Sequence, residues 1–326
     1  MDCRVTRRFA ACFAAAVVLL GIGGSATARP GGLPAHLYAP YFETWTTDAI
    51  TTTAQQSGAR FFTLAFVGTL GRRSCRLAWN AKKADTLAAG RYLSDIVSLR
   101  ALGGDVILSF GGWDMDQRGT EVADACKNVK AIVAAYESAI KTYGVTRLDM
   151  DVEGRSLKRA RGIDRRNKAI KLVESWAAAH ARPLQISYTL PTSPYGLGPA
   201  AVAVLKNAIA NGARVDVVNI MTFDYYDGVT VDMGDAAITA AQGLFDQLET
   251  LYPPKSNAQL WAMEGITMMT GIDDYPKQTE VTYPLDAQLL YLFAKSVGIG
   301  TLSIWSAQRD ADTWEFSRLL APYSGR

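Results

Sequence analysis

The sequence predicts an α/β protein built as one (β/α)8 TIM barrel. Eight apolar, β-branched segments alternate with amphipathic segments that have the spacing of helices. Strands that alternate with helices form parallel sheets, and eight such units in about 290 residues match a closed barrel. A doubly wound open sheet, the alternative, would usually carry a glycine-rich turn after its first strand, but residues 41–45 contain no glycine.

The predicted elements follow one another in regular order. The strands are predicted at Leu37–Trp45, Phe61–Gly68, Asp105–Gly112, Arg147–Gly154, Pro183–Pro191, Asp216–Asp227, Leu260–Gly271 and Gly300–Asp310. The clearest helices are predicted at Tyr92–Leu102, Ala123–Tyr143, Asp164–Ala181, Pro199–Asn211, Asp235–Tyr252 and Leu285–Val297. Fewer than 30 residues separate Gly271 from Gly300, and the connecting helix needs most of them. No inserted α+β domain is therefore expected between the last two strands.

Residues 1–28 have the pattern of a secretory signal peptide and are not expected in the fold. Basic residues start the segment, an apolar run covers residues 9–22, and small residues at 26–28 provide a cleavage site. The apolar run is too short for a typical membrane-spanning helix, and no later segment reaches 18 uninterrupted apolar residues. We therefore expect a secreted protein without a membrane anchor, with residues 29–326 as a single domain.

The cysteines indicate a disulfide and give little support for a metal site. Two of the four cysteines would leave with the leader, so Cys75 and Cys126 remain. In an oxidising compartment these two are expected to pair, with two inert buried thiols as the alternative. There is no CxxC motif, and His36 and His180 are interpreted as surface residues, so neither a metal nor a cofactor is expected.

The charge balance excludes some classes of partner. The net charge is only +3 at pH 7, and the charged residues are interpreted as evenly spread. Such a balance does not indicate nucleic acid or an anionic membrane as a partner. We expect a monomer.

The strongest functional signal is the octapeptide Arg147–Gly154, in which Asp149, Asp151 and Glu153 alternate with apolar residues. A period of two is typical of a β-strand and places the carboxyl groups on one face. Like charges about 6–7 Å apart repel, so at least one acid is expected to keep its proton at neutral pH. A protonated carboxylic acid beside ionised ones is suited to the cleavage of glycosidic bonds.

The alternative interpretation of this octapeptide is a calcium loop or a solvated acidic turn. An EF-hand would have Asp at its third acidic position and a glutamate at its twelfth position, where this chain has Glu153 and Ala160. The interleaved leucine, methionine and valine are also unlike those of a solvated loop. The catalytic interpretation is therefore preferred, since acids with perturbed pKa values cluster at functional sites.

Four short motifs, taken in order, resemble those of glycoside hydrolase family 18, the chitinase family. They are Ser109–Gly112, which resembles SxGG of the third strand, Asp149–Glu153, which resembles DxDxE of the fourth, Met221–Asp224, which is similar to MxYD of the sixth, and Trp305 on the eighth. The resemblance covers nearly the whole chain after the leader. It implies a (β/α)8 barrel with its site at the carboxyl ends of the strands.

Two positions depart from the family's pattern. Thr146 replaces an acid, and its hydroxyl can still form hydrogen bonds. Phe223 replaces a tyrosine whose hydroxyl, in the family, holds the carbonyl of the substrate's acetamido group. Without a substitute, the transition state would lose about 1.5–3 kcal/mol. The hydroxyls that could replace it belong to Tyr188, Tyr225 and Tyr226, and the sequence does not decide among them.

The resemblance implies a retaining, substrate-assisted mechanism that cleaves β-1,4 linkages next to N-acetylglucosamine. Glu153 would act as the general acid and then as the base for water. Asp151 would orient the acetamido nitrogen, and Asp149 would share a proton with Asp151. The three acids should titrate as a coupled set.

The resemblance also implies which side chains bind the sugar. Trp305 would form the floor below the reacting sugar, because an indole face matches the apolar face of a pyranose. Trp45 and Trp113 either extend this surface or pack in the core or rim. Gly111 and Gly112 either permit a close backbone approach or form a simple turn. The other implied substrate-binding residues are Met221, Asp224, Tyr188, Tyr225 and Tyr226.

The implied activity is that of an endo-acting chitinase on chitin or N-acetylglucosamine oligosaccharides. An open groove is expected, because the inserted domain that deepens the cleft in some family members has no room here. Two alternatives stay open. One is an endo-β-N-acetylglucosaminidase acting on N-glycans, which uses the same motif. The other is a weakly active, lectin-like protein, which the departure at Phe223 keeps open.

Overall fold

The computed structural model describes residues 32–274 and 279–325, so the predicted leader at 1–28 lies outside the described residues. The strands are β1 (Leu37–Tyr38), β2 (Tyr41–Glu43), β3 (Phe61–Thr69), β4 (Leu77–Trp79), β5 (Asp105–Gly111), β6 (Arg147–Asp151), β7 (Gln185–Ser193), β8 (Gly196–Leu197), β9 (Val217–Met221), β10 (Glu264–Met269), β11 (Gly271–Ile272), β12 (Val281–Thr282) and β13 (Thr301–Trp305). The helices are α1 (Ile50–Ser57), α2 (Leu93–Ala101), α3 (Trp113–Arg118), α4 (Val122–Ala125), α5 (Val129–Tyr143), α6 (Ala160–Ala179), α7 (Pro199–Ala210), α8 (Met233–Leu251), α9 (Asn257–Ala262), α10 (Pro284–Val297) and α11 (Glu315–Leu320).

Eight strand positions close into a barrel. β1 and β2 are two halves of the first position, and the sheet continues through β3, β5, β6, β7, β9, β10 and β13. β2 pairs in parallel with β3, where Tyr41 lies opposite Thr63, and β1 pairs in parallel with β13, where Leu37 lies opposite Thr301. Because the first position pairs with both the second and the last, the ring is closed. The predicted (β/α)8 barrel is confirmed.

The helices pack around the barrel through an apolar layer. On β6, Leu148 and Met150 belong to this layer, while Asp149, on the alternate face, lies inside the barrel. Tyr136 on α5 packs edge-on against Phe110 with ring centroids 5.1 Å apart, and its hydroxyl lies 3.7 Å from the sulfur of Met150. Complete burial of a large apolar side chain contributes about 1.5–3 kcal/mol. The layer therefore fixes the strands whose opposite face carries the acids.

Several strands are shorter than predicted. β6 ends at Asp151 and β9 ends at Met221, because the chain leaves the sheet for loops at the carboxyl end of the barrel. The first residues of the predicted seventh strand, 260–262, lie in α9 and not in a strand. A capping box between Ser256 and Gln259 starts this helix and decides the local structure.

The helix predicted at 123–143 is two helices. The break occurs because Asn128 caps a new helix, α5, by accepting a hydrogen bond from the N–H of Ala131 at 3.2 Å. Helix α6 begins at Ala160, one turn before the predicted start at Asp164.

Between β10 and β13 the chain forms a short antiparallel ribbon and helix α10. The ribbon pairs β11 with β12, with Gly271 opposite Thr282. The described residues of this connection, 270–274 and 279–300, hold this ribbon and one helix, as expected for a barrel without an inserted α+β domain here.

Cys75 and Cys126 form the predicted disulfide. The bond joins the loop between β3 and β4 to the junction of α4 and α5, with Cα atoms 4.8 Å apart and a sequence separation of 51. In the chain-entropy model, closing a loop of this length contributes on the order of 4 kcal/mol.

Residues 32–274 and 279–325 contain neither a membrane-spanning helix nor a metal-binding cluster. No helix in this part of the chain is long and apolar enough to cross a bilayer. No group of three or more His, Cys, Asp or Glu side chains there could hold a metal ion. His36 and His180 each hydrogen-bond to a backbone carbonyl, of Ile299 and Trp176 respectively.

Candidate active site

Asp149 lies inside the barrel and is held by hydroxyl groups from three strands. Ser109 on β5 and Tyr41 on β2 donate hydrogen bonds to its Oδ2 atom at 2.7 and 3.1 Å. Ser187 and Thr189 on β7 donate to its Oδ1 atom at 2.7 and 2.8 Å. Burial raises the pKa of Asp149 and these hydrogen bonds lower it, so they offset part of the cost of burying a charge.

A further set of polar side chains fixes the direction of these hydroxyl groups. Asn219 on β9 donates through Nδ2 to the hydroxyls of Thr189 at 3.0 Å and of Thr267, on β10, at 2.8 Å. Sequence reasoning missed this network; its members, besides the acid, are Tyr41, Ser187, Thr189, Asn219 and Thr267. The sequence signal that could have revealed it is the pair Ser187 and Thr189, which are two residues apart and so lie on the same face of one strand.

Asp151 lies between the other two acids and hydrogen-bonds with Glu153. Burial raises its pKa well above the usual range, and the charges of Glu153 and Asp149 raise it further. Its Oδ1 atom is buried and makes no hydrogen bond within the described residues, so it is available to a group that enters the cleft. The charges of neighbouring acids thus act on Asp151 directly, in line with the coupled titration predicted for the three acids.

Glu153 follows the end of β6, so the predicted strand is correct for Asp149 and Asp151 only. The backbone N–H of Glu153 donates to Asp116 Oδ2 at 2.5 Å. Burial raises the pKa of Glu153 to about 7, although hydrogen bonds from Asp151 and from the backbone N–H of Trp113 lower it. A carboxyl group with this pKa is partly protonated at neutral pH, as a general acid requires.

Two glycines bring the end of β5 close to the acids. Gly111 and Gly112 have φ values of 112° and 84°, which favour glycine. A Cβ atom on Gly111 would lie 2.0 Å from the carbonyl oxygen of Asp151, and one on Gly112 would lie 2.7 Å from the ring of Phe66. Both positions therefore favour glycine, since the backbone of Gly111 approaches that of Asp151 and Gly112 approaches the ring of Phe66.

Aromatic rings form a wall above Asp149. Trp305 stacks on Phe66 with ring centroids 5.5 Å apart, and the ring of Trp45 lies 6.0 Å from that of Trp305. Tyr41, whose hydroxyl bonds Asp149, lies 5.7 Å from Trp305. Trp45 is 42% exposed, so its ring faces the cleft and the solvent. Phe66 is a member of this wall that sequence reasoning missed.

Trp113 lies beside the turn formed by Glu153 and Gly154. Its side chain is 57% exposed, and it lies 3.2 Å from the position that a Cβ atom of Gly154 would take. Its backbone N–H bonds the carboxyl group of Glu153. The same residue thus orients Glu153 and presents an indole ring to the cleft.

The loop after β9 places Asp224 near Glu153. Met221 is buried at the strand end, whereas Asp224 is half-buried and its N–H donates to Asp273 Oδ2 at 3.0 Å. Burial and then the carboxyl groups of Asp273 and Asp274 raise the pKa of Asp224 to about 7. Asp224 in turn raises the pKa of Glu153, so the two acids face the same space.

Tyr188 lies outside the cleft, and its predicted role in substrate binding is wrong. It stands between Ser187 and Thr189, which face Asp149, so its side chain points to the helix layer. Tyr188 is fully buried, and its hydroxyl donates to Asn167 Oδ1 on α6 at 2.7 Å.

Of the two remaining tyrosines, Tyr226 is the one beside Asp224 and Glu153. Burial and then the charges of Asp224 and Glu153 raise the pKa of Tyr226 to about 12, and the residue is 58% exposed. Tyr225 has Glu280 as its first charged neighbour, and its hydroxyl is buried away from the solvent. The structure therefore brings only one of the three tyrosines to the acids.

The fold and the site together define the class of this protein. A closed (β/α)8 barrel presents coupled carboxyl groups at the carboxyl end of β6, one of them with a pKa near 7, beside a wall of aromatic rings. This is the arrangement of a glycoside hydrolase. The chain belongs to the glycosyl hydrolases family 18, whose family model matches residues 38–292.

Relatives of known name cover the barrel. The chain is 33% identical over 319 residues to the probable bifunctional chitinase/lysozyme of Escherichia coli (strain K12). This match covers 89% of this chain and 35% of that protein. It is 35% identical over 288 residues to Endochitinase 11 of Metarhizium anisopliae, covering 85% of this chain and 53% of that protein. The chain thus spans about a third to a half of the length of these relatives.

A solved structure shows the same fold with sugar bound. Catalytic site mutants of active domain 2 of the thermostable chitinase from Pyrococcus furiosus were solved in complex with chito-oligosaccharides. That domain matches this chain with a TM-score of 0.78 and 28% identity, over 90% of this chain and 96% of that chain.

Proposed function

We propose that this protein is a secreted, endo-acting chitinase that hydrolyses β-1,4-N-acetylglucosaminide bonds with retention of configuration. The observation that carries the proposal is the hydrogen-bonded pair of Asp151 and Glu153, in which the pKa of Glu153 is raised to about 7. A carboxylic acid that is protonated near neutral pH can protonate the leaving oxygen of a glycoside. The names of the relatives, a chitinase/lysozyme and an endochitinase, support chitin as the substrate class.

In the first step, Glu153 donates its proton to the oxygen of the scissile bond. The acetamido carbonyl oxygen of the substrate attacks C1 of the same sugar, the bond from C1 to the leaving oxygen breaks, and an oxazolinium ion forms. Asp151 accepts a hydrogen bond from the acetamido N–H and stabilises the positive charge when it is ionised. Because the pKa of Asp149 is also raised, Asp149 can hold the proton that Asp151 gives up.

In the second step, the ionised Glu153 takes a proton from water. The water attacks C1 from the side that the leaving group occupied, the oxazolinium ring opens, and the acetamido group is restored. Two inversions at C1 retain the configuration of the sugar. Glu153 returns to its protonated state and Asp151 recovers its proton from Asp149.

The aromatic wall and Tyr226 would hold the reacting sugar. The stacked rings of Trp305 and Phe66 offer a flat apolar surface that matches one face of a pyranose. Tyr226 is the tyrosine whose phenol lies beside Asp224 and Glu153, so we assign to it the acetamide contact that Phe223 lacks. Tyr226 lies in the loop beyond the end of β9 and has a left-handed backbone conformation, with a φ of 58°. The direction of its side chain is therefore not set by the alternation of a strand.

Internal cleavage and secretion are supported by other features. Trp45 and Trp113 are both exposed, and the connection between β10 and β13 is short, which supports an open groove that can accept the interior of a sugar chain. The signal-peptide pattern of residues 1–28 and the disulfide fit an oxidising, extracellular environment. We expect the protein to act as a monomer and without a cofactor.

The proposal is tested with soluble N-acetylchitooligosaccharides and a high-mannose glycoprotein as competing substrates. We expect internal cleavage of the oligosaccharides, seen by mass spectrometry, and a β-anomer as the first product, seen by NMR. Release of the glycan from the glycoprotein without cleavage of chitin oligomers would identify an endo-β-N-acetylglucosaminidase instead. Binding of chitin oligomers without either reaction would indicate a lectin-like protein.

A further inference from the structure

Positive charge is concentrated on one side of the cleft. Residues 155–168, which follow the catalytic turn and begin α6, contain seven Lys or Arg residues and one acid. Arg166 is buried and pairs with Glu121, but the other six cations still exceed the single acid by more than the net charge of the whole chain, which is +3. The interpretation of the charge as evenly spread is therefore wrong.

The positive surface begins beside the catalytic turn. A Cβ atom on Gly154 would lie 2.2 Å from the side chain of Gln117 and 3.2 Å from that of Trp113, so the turn packs on α3. The next residue, Arg155, is exposed, and its Nη1 atom donates to the carbonyl of Gln117 at 3.3 Å. The first cation thus lies two residues after Glu153 and next to the exposed indole ring of Trp113.

Three further arginines continue this surface away from the cleft. Arg72 Nε donates to the carbonyl oxygen of Arg118 at 2.7 Å. The guanidinium of Arg159 and the side chain of Arg72 lie 3.3 and 3.8 Å from the position that a Cβ atom of Gly119 would take. Arg118 also pairs with the exposed Asp114 at 2.8 Å, an ion pair that water screens. The side chains of Arg72 and Arg159 therefore meet at Gly119, the residue that follows Arg118.

The surface ends in a cavity of about 420 Å³ whose lining includes four cations, Lys127, Arg159, Arg161 and Arg165. Asp124, the acid in the lining, is buried and pairs with Arg159 at 3.2 Å. Burial and then the charge of Arg165 lower the pKa of Lys127, as expected where like charges are crowded. One carboxylate faces four cations, so the cavity has room and charge for a further anion.

One of these cations, Arg161, has no ion pair within the described residues, whereas Arg159 pairs with Asp124 and Arg165 donates hydrogen bonds to the carbonyl of Ala123. Arg161 lies in the first turn of α6, which contains no acid, and a positive charge there opposes the partial positive charge of the helix N-terminus. Arg161 is exposed and takes part in none of the ion pairs found in the described part of the chain. The guanidinium group of Arg161 is therefore accessible to an anionic ligand.

We propose that this basic surface, formed by Arg155, Arg118, Arg72, Arg159 and the cavity, binds the carboxylate groups of an acidic glycan whose neutral sugars occupy the cleft. Its continuity with the cleft favours another part of the same chain as the ligand. The cavity lining contains no aromatic ring, whereas binding of single-stranded nucleic acid usually depends on stacked bases. Neutral chitin has no group for these cations, so the inference goes beyond the proposed function and rests on it only in the choice of a glycan.

The experiment compares two soluble polymers, carboxymethyl chitin and neutral glycol chitin, in the wild type and in Lys127→Gln/Arg161→Gln. We expect the Kd for carboxymethyl chitin to rise about tenfold in this variant, because each exposed charge contact contributes roughly a severalfold factor. The Kd for glycol chitin should stay unchanged. Raising the salt concentration should weaken the binding of carboxymethyl chitin to the wild type in the same way.

The matched control is Lys206→Gln/Lys255→Gln, which removes the same charge from exposed positions elsewhere and should leave both affinities unchanged. Equal effects of the two double variants would overturn the proposal, as would wild-type binding of carboxymethyl chitin that is no tighter than that of glycol chitin. Tighter binding of single-stranded DNA than of carboxymethyl chitin would assign the surface to nucleic acid instead. The Kd needs no hydrolysis, so an inactive protein would contradict the proposed function and leave this test intact.

Discussion

Asp151 and Glu153 share a hydrogen bond at the carboxyl end of β6, and burial raises the pKa of both carboxyl groups. The protonation state of one acid therefore depends on the state of the other. Asp149, below this pair, accepts hydrogen bonds from four hydroxyl groups. These hydrogen bonds stabilise a negative charge on Asp149, the innermost of the three acids.

Replacement of Glu153 by glutamine should remove the transferable proton and keep the shape of the cleft. We expect kcat to fall by about 10²–10⁴, while the Kd for chitin oligosaccharides changes little. Glu137→Gln, on the outer face of α5, is the matched control and should keep full activity. Wild-type turnover in a correctly folded Glu153→Gln variant would contradict the assignment of the general acid.

The pH profile of kcat/KM should report the raised pKa of Glu153. The acid acts in its protonated form, so kcat/KM should fall as the pH rises through about 7. The shift also affects stability. From the usual value of 4.5 up to about 7, the folded state binds more protons than the unfolded state, so stability should decrease as the pH rises through this window. A basic limb of kcat/KM near pH 4.5 would show that burial does not raise the pKa of Glu153 in the active protein.

Asp224 offers a second test of the same pKa. Its charge raises the pKa of Glu153, so Asp224→Asn should move the basic limb of kcat/KM to lower pH. Asp164→Asn, on the surface of α6, makes the same substitution away from the cleft and should leave the limb in place. A limb that stays unshifted in Asp224→Asn would mean that the two acids do not face each other in the active protein.

Tyr226 should carry the hydrogen bond that the departure at Phe223 removes. We expect Tyr226→Phe to lower kcat/KM about tenfold to a hundredfold, equivalent to about 1.5–3 kcal/mol for a hydrogen bond to a developing charge. Phe223→Tyr in the wild-type background should change kcat/KM little, because Tyr226 already supplies this hydrogen bond.

The other two tyrosines are the matched controls for Tyr226→Phe. Tyr188→Phe should lower the free energy of unfolding by about 1 kcal/mol through loss of its bond to Asn167 and leave kcat/KM unchanged. Tyr225→Phe should change neither quantity much, because the hydroxyl is buried without a hydrogen bond in the described residues. A loss of kcat/KM in either control that equals the loss in Tyr226→Phe would contradict this assignment.

Alanine at Gly112 should damage both the fold and the site. Its φ of 84° strains any other residue, and the new Cβ atom would lie 2.7 Å from the ring of Phe66 in the aromatic wall. We expect a loss of about 2–4 kcal/mol in the free energy of unfolding, together with a lower kcat/KM. Chemical denaturation and initial rates measure the two effects.

Gly212→Ala separates the backbone strain from the steric clash. Gly212 has a comparable φ of 65°, but the nearest atom to its added Cβ would be Lys171 Cε at 3.9 Å. This variant should lose only about 1 kcal/mol and keep full activity. If both alanine variants behave alike, the approach of Gly112 to Phe66 has no importance for the site.

The order of the strands and the position of the acids could be predicted from the sequence. The alternation of Asp149 and Asp151 with apolar residues specifies a strand with one polar face, because the side-chain period of a strand is two. The ends of the strands and helices were predicted less well, because short local capping signals set them. The capping box at Ser256 starts a helix where the seventh strand was expected to begin, and the cap at Asn128 divides the helix expected at 123–143.

The sequence by itself determined that this is a barrel with a row of acids on one strand, because periodicity along the chain is a local property. Only the tertiary structure decided which residues surround those acids. The hydroxyl groups on Asp149 come from positions as far apart in the chain as Tyr41 and Thr189, and Phe66 reaches Trp305 from the other side of the first strand position. Closure of the ring brings these distant strand ends to one place. The periodicity of a single segment carries no information about which distant segments it will contact.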